Sequence, residues 1–516
     1  MWGIGFKADG ELMPDFPDVL LELEVKPEPK IDPTVEEALL PPVVVLGVPF
    51  VHQTLAAALE DMENMVASRQ PHYIVTANVD FVVQSLEDEE LRRILLEADR
   101  VVCDGTPLIW ASRFLGNPLP ERVAGADLVP LLLQLSARKG YRVFFLGGEP
   151  EVAERAIANA QAAYPGVNIC GHYSPPFKPL LDMDHEEIIR QVTAAQPDFL
   201  FVSFGCPKAE KWISMHYRQL GVPVSIGVGG TIDFLAGRVK RAPQWMQRAG
   251  LEWVYRLGQE PRRLYRRYCT DLKNFGRAFA WQHYLMKKSG RNGSAHMETS
   301  ALLIEPTWRR ILPPAFFDRT SILRDEKLWR ESRATHCLLE LAHIENIDST
   351  AIGLLLLLHR TLARRGLFLI LVRPSEHLMR VLRLMHLEHY FLMAEDTHEA
   401  HELILKRNGE TRVLYRSEMF HPTFPLIWRG EITAANAEEV WKQIEAELQV
   451  MAGSKNRVPI DLSEIRFIDS AGIGLLARAR KHGQRLGMSL RFTDVSPAVR
   501  NVLRISKMES LLEENK

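Results

Sequence analysis

Tyr73-Ile74-Val75-Thr76-Ala77-Asn78-Val79-Asp80 and, further on, Val101-Val102-Cys103-Asp104-Gly105-Thr106-Pro107 bracket the stretch whose reading decides the fold. An apolar run ends in small polar residues. A segment follows with Leu86, Leu91, Ile94 and Leu95 at helical spacing and acids between them. A second apolar run then stops at Asp104-Gly105. This reads as strand, helix, strand, with polar residues at the carboxyl ends of both strands. In open α/β sheets ligands sit outside those ends, so Thr76, Asn78 and Asp104 are expected to converge on one crevice. Taken singly, Asn78 and Asp104 read equally well as turn or cap residues.

The pattern repeats outward. Val43-Val44-Val45-Leu46-Gly47-Val48-Pro49-Phe50 reads as the strand that opens the domain, followed by a helix over 52–68. Arg122-Val123-Ala124-Gly125-Ala126-Asp127-Leu128 leads into another helix. Tyr141 to Gly148, Val167-Asn168-Ile169, Phe199 to Gly205 and Val224 to Gly230 read as further strands alternating with helices. The expected fold is therefore α/β, with a doubly wound, largely parallel sheet. Gly147-Gly148, Gly205 and Gly229-Gly230 end three of those strands. Glycines there let a ligand approach the backbone and leave amide N–H groups open to phosphate, although tight turning alone explains a glycine after a strand. Neither a P-loop nor a GxGxxG pattern is present.

Composition narrows the classes. The chain has 516 residues, 46% of them hydrophobic, with 63 basic against 65 acidic side chains. That supports several large cores and argues against global disorder. Five scattered cysteines form no CxxC pair, so neither a disulfide framework nor a zinc site is indicated, and a reducing compartment fits. Met1 to Phe16 lacks a basic start with a long apolar run, so no signal peptide is expected. No run of about 18 apolar residues suggests a membrane span.

Charge becomes lopsided only over 238–291, where 14 Lys and Arg face 3 acids, a balance of +11, among nine Trp, Tyr and Phe residues. A basic, aromatic, helical segment reads as an interfacial element on anionic lipid. A nucleic-acid face or a merely solvated helix face are the other readings. Arg256, Arg263 and Arg266 share one helix face if the helix runs on through Pro261. Their forks suit diphosphate oxygens.

The domain boundaries follow: a Pro- and acid-rich arm over 1–40, an α/β domain over 41–237, the basic appendage over 238–287, and a linker over 288–298. Beyond the linker, Ile347-Asp348-Ser349-Thr350-Ala351-Ile352-Gly353-Leu354-Leu355 matches Ile468-Asp469-Ser470-Ala471-Gly472-Ile473-Gly474-Leu475-Leu476 at seven of nine positions. Each copy has a strand before it and a helix and strand after it. Residues 299–408 and 409–516 are thus two copies of one small α/β domain.

Six motifs, taken in order, resemble the WecG/TagA/CpsF glycosyltransferases over about residues 43–285: Thr76 to Asp80, Asp104 to Pro107, Phe145 to Gly148, Gly205-Cys206-Pro207-Lys208-Ala209-Glu210-Lys211-Trp212, Gly227 to Phe234, and Glu260 to Tyr268. The resemblance implies inverting transfer of an N-acetylmannosamine-type or related hexose from a UDP-sugar to a polyprenyl-diphosphate-linked sugar, with no metal or other cofactor. It implies that Asp104 is the catalytic base and that Thr76 and Asn78 line the pocket. Gly147, Gly148, Gly205, Lys208, Glu210, Gly229, Gly230 and Asp233 are counted with them as substrate-binding residues. Arg256, Arg263 and Arg266 match arginines that close the site and meet diphosphate at the membrane. The family usually has Gln where this chain has Ala209, which removes a polar pocket contact.

The two repeats resemble STAS domains, the fold of anti-sigma factor antagonists, in which a serine at this position is phosphorylated. Ser470 is the better candidate and Ser349 the weaker, because Thr350-Ala351 replaces Ala-Gly. Each serine also reads as a simple helix cap. The expected protein is a cytoplasmic enzyme of cell-surface polysaccharide synthesis, peripheral on the inner face of the membrane. Its STAS domains would meet a kinase or an anti-sigma-like protein. Nucleic acid is not an expected partner, and a homo-oligomer is left open. The alternative is a weakened nucleotide-sugar-binding scaffold that acts through STAS contacts.

Overall fold

Strands buried on both faces carry near-continuous apolar runs, and such runs build the first domain. In the computed structural model, which describes residues 40–287, 299–305, 308–407, 413–414, 426–451 and 457–512, six of them form one sheet. They are β3 (His72–Ala77), β4 (Arg100–Cys103), β5 (Arg142–Gly147), β6 (Asn168–Tyr173), β7 (Phe199–Ser203) and β8 (Val224–Gly227). Their order is β4-β3-β8-β7-β5-β6 and every pairing is parallel. From β3 the chain steps outward to β4, crosses to β5 and β6, and returns through β7 and β8 to close against β3. The carboxyl ends of β3, β8, β7 and β5 therefore lie side by side. Tyr73, Val75, Leu146, Leu200 and Val202 face one core; Ile74, Val143, Phe145, Phe199, Phe201 and Ile226 face the other. Most of the N-terminal arm and the whole linker lie outside the described residues.

The first corrected expectation is the opening strand. Val43 to Phe50 is an antiparallel hairpin, β1 (Val43–Val45) and β2 (Val48–Phe50), and stands outside the main sheet. Leu46 and Gly47 both take positive φ (50° and 88°), the requirement of a type I′ turn, whose twist matches the paired strands. Alternation then divides the hairpin. Val43 and Val45 enter the core of the first domain, while Val44 enters the core of the first repeat.

The appendage is also not one continuous helix. Helix Glu252–Gln259 ends at Glu260, which leaves helical geometry, and Pro261 starts a new helix, Pro261–Lys287. Proline at a first helical position is well placed, because its missing N–H would go unbonded there anyway. Arg256 thus sits on a different helix from Arg263 and Arg266, and the three do not share one helix face. Nor is the long helix a detachable arm. Leu264, Phe275, Gln282 and Leu285 are buried, and Gln282 bonds the hairpin through Leu46 N (2.9 Å) and Val44 O (2.9 Å).

Each repeat is a small, mostly parallel α/β layer. The first has strands ordered 392–394, 369–372, 336–340, 308–312 and 300–305. The second runs 413–414, 426–432, 457–468 and 489–493. Among the described residues no helix is long and apolar enough to cross a membrane.

Candidate active site

The crevice forms where the carboxyl ends of the central strands meet. Thr76, near the end of β3, is buried and donates its hydroxyl to Gly227 O of β8 (3.1 Å). Asp104 follows β4 directly, and its N–H bonds Ala77 O at 2.9 Å. Helix Thr106–Phe114 begins after Gly105 with no side-chain cap, so Asp104 does not cap it. Its carboxylate instead receives the N–H of Gly125, at the start of helix Gly125–Lys139. Burial pushes the Asp104 carboxyl up to about 7 against the opposing pull of Arg122. A carboxyl that titrates near neutrality suits a general base. Asn78 has the plainer role. Its Oδ1 accepts from Asp80 N (3.0 Å) and Phe81 N (3.4 Å), capping helix Val79–Ser85.

The remaining strand ends complete the rim. Gly147 (φ 96°) lies so close to Ser203 O and the Phe204 ring that a Cβ would meet them at 2.8 and 2.9 Å. Ser203 in turn donates to Gly229 O at 2.6 Å. Gly148 lies against Ile232, and both Gly205 and Gly229 open to free space. Gly230 approaches both Asp233 and the Arg256 guanidinium. Arg256 lies 5.3 Å from the Phe234 ring centre, and its buried Nε has no bonding partner. That orphaned donor, next to open glycine backbone, suits an anionic ligand oxygen.

Three expected residues fall elsewhere. Lys208 turns aside to Lys178 O (2.6 Å) and the Phe177 ring. Glu210 is buried beneath β8 instead of lining the crevice. A Cβ on Gly227 would meet its Oε1 at 2.4 Å, its Oε2 has no partner, and burial pushes its carboxyl up to about 7. Arg266 is exposed and lines an open groove of about 690 Å³ with Val254, Leu257, Pro261, Arg262 and Tyr265. The Arg263 side chain lies outside the described residues. Ala209 is fully packed in the core.

Sequence reasoning missed the ion cluster behind Asp104. Arg122 bonds Asp127 (2.8 Å) and Glu252 (2.8 Å). Arg241 bonds the same two acids at 2.8 and 3.0 Å. This cage ties the floor of the crevice to helix Glu252–Gln259, which carries Arg256. Trp253 on that helix, and Trp245 and Tyr265 on the helices flanking it, stand exposed.

Neither serine caps its helix. The caps are the aspartates before them: Asp348 accepts from Ala351 N (2.8 Å) and Asp469 from Gly472 N (2.9 Å). Both serines are buried against the first domain. Ser349 Oγ accepts from Val44 N (2.8 Å) and donates to Val44 O (3.0 Å). Ser470 N donates to Glu90 Oε1 at 2.6 Å.

Comparison with known proteins agrees with this architecture. Residues 43–289 match the family described as the glycosyl transferase WecG/TagA/CpsF family. Residues 313–400 match the STAS domain, and 426–513 the domain described as Mlab, STAS domain. Proteins from two strains of Staphylococcus aureus are each 32% identical over 214 residues, spanning 41% of this chain and 82% of their own. Each is described as an N-acetylglucosaminyldiphosphoundecaprenol N-acetyl-beta-D-mannosaminyltransferase. A solved anti-sigma-factor antagonist (STAS) domain protein from Planctomyces limnophilus is 16% identical, over 21% of this chain and 99% of its own, with a TM-score of 0.20.

Proposed function

The chain belongs to the WecG/TagA/CpsF glycosyltransferase family and carries two STAS domains, and from that premise we propose that it moves an N-acetylmannosamine-type or related hexose from a UDP-sugar to a polyprenyl-diphosphate-linked sugar. Asp104 is the base. It takes the proton of the acceptor hydroxyl as that oxygen attacks the anomeric carbon from the face opposite UDP. The bond from carbon to the UDP oxygen breaks, UDP leaves with the electron pair, and the configuration inverts. Arg256 meets the departing diphosphate, and cations placed where charge develops lower the barrier. The exposed Trp245, Trp253 and Tyr265, together with the groove holding Arg262 and Arg266, support docking on an anionic membrane surface. There the lipid-linked acceptor is presented.

One observation carries this reading: Asp104 stands at the end of a buried strand, does not cap the helix that follows it, and has its carboxyl near neutrality. The test is UDP release with a lipid-diphosphate acceptor. Asp104→Asn keeps the size of the side chain but cannot take a proton, so turnover should fall roughly 10²–10⁴-fold, with UDP-sugar binding and thermal melting nearly unchanged. A base must be unprotonated to act. Wild-type turnover should therefore rise with pH up to about 7 and level off above it, and Asp104→Asn should lose that inflection. UDP-sugar binding without any turnover in the wild type would favour a scaffold.

A further inference from the structure

Glu90 joins three parts of the molecule that the sequence keeps far apart. It lies on helix Glu89–Glu97 of the catalytic domain and is 3% exposed. One of its oxygens takes the Ser470 N–H at 2.6 Å, and the other meets Lys211 Nζ at 2.7 Å. Lys211 also meets Asp88 at 2.8 Å. Lys211 is itself buried, in the first turn of helix Lys208–Leu220, which leaves the Gly205-Cys206-Pro207 turn after β7. Next to this relay, Arg93 lies 3.6 Å from the Phe467 ring centre and bonds Glu431 at 2.8 Å.

We propose that the catalytic domain is the resident partner of the Ser470 turn, and that the relay Ser470–Glu90–Lys211 holds the start of helix Lys208–Leu220 in place at the rim of the crevice. Ser470 is 2% exposed in this arrangement, so an outside protein reaches it only after the catalytic domain lets go. The contact is also poised against added charge. Asp469 is pushed up to about 7, by burial first and then by the charge of Glu90. A phosphate or carboxylate at Ser470 adds another anion beside the buried Glu90 and the partly buried Asp469, and like charges in such a place repel strongly. Release would leave Glu90 without the Ser470 amide and would loosen the helix that Lys211 anchors. Glu90 and Lys211 act here as positioning residues, since neither reaches the crevice.

The relay is tested on the full chain by amide hydrogen exchange, alongside UDP release. This part rests on the transferase reading only for the second measurement. Ser470→Asp should raise exchange in residues 89–97 and in 208–213 about tenfold, the scale of coupling between residues in contact, and should lower turnover in step. Adding Glu90→Gln keeps an acceptor for the Ser470 amide and removes the Glu90 charge, the one that lies across the contact. The double variant should return to the level of Glu90→Gln alone, a rescue that simple misfolding would not show. Unchanged exchange in 89–97, or no rescue, overturns the docking. Raised exchange in 89–97 with 208–213 unmoved overturns the relay. A wild type that releases no UDP refutes the transferase reading, while exchange still decides the relay.

Discussion

The two STAS domains carry nearly the same nine residues, yet they hold the catalytic domain with a different balance of apolar and charged contacts. The first is built in. Val44 of the hairpin, Leu96 and Leu285 join its apolar core, Gly353 lies against Pro42, and Arg360 donates from a partly buried position to Ala98 O. The second is held at its serine turn by charge: Glu90 on the Ser470 amide, and Arg93 on Glu431 and Phe467. Apolar burial is non-directional and is lost only with the fold. A few polar contacts can be made and broken while both sides stay folded. One motif thus serves once as a structural joint and once as a separable contact.

The sharpest way to break this contrast is to place the same charge in both copies. In Ser349→Asp the new carboxylate replaces a hydroxyl that both accepts from and donates to Val44. An unpaired buried charge costs roughly 3–5 kcal/mol, a large share of a domain's usual stability. The protein should melt far lower or fail to accumulate. Ser470→Asp should melt close to the wild type. Equal melting of the two variants would refute the distinction.

The paired glycines give a smaller but cleaner comparison. A Cβ at Gly353 would stand 2.0 Å from Pro42 O, whereas Gly474, its counterpart, has nothing within 4 Å. Gly353→Ala should therefore cost about 1–3 kcal/mol in denaturant unfolding. Gly474→Ala should gain up to about 1 kcal/mol, because alanine favours the helix interior. A matching loss at both positions would show that the second domain is packed as tightly as the first.

Much of the fold was legible because strands buried on both faces leave unbroken apolar runs. Thr76 and Asp104 stood out for the same reason, as polar residues ending such runs. The hairpin was not legible. Leu46-Gly47 sits inside an apolar run and lacks the Asn-Gly or Asp-Gly signal that usually announces a type I′ turn. Arg122 and Arg241 escaped because each also bonds an acid more than a hundred residues away, Glu252 for Arg122 and Asp127 for Arg241, and that pairing is what closes the cluster. Glu90 read only as one of the acids between the apolar positions of its helix, and Ser470, which covers it, is 380 residues on. Asn78 adds that a polar residue at a strand end also caps the helix that follows it.

The hairpin has one further consequence, for synthesis. Chains emerge from the ribosome amino end first, and domains tend to fold as they appear. Val44 comes out among the first residues of the catalytic domain, but Ser349, which satisfies both its N–H and its C=O, follows 305 residues later. Through that interval Gln282 can bond Val44 O and Leu46 N, but the Val44 N–H stays unpaired beside apolar side chains, the kind of edge that recruits wrong partners. A gene cut after the catalytic domain would make that interval permanent. The nascent enzyme is therefore finished only when its first STAS domain arrives to close it.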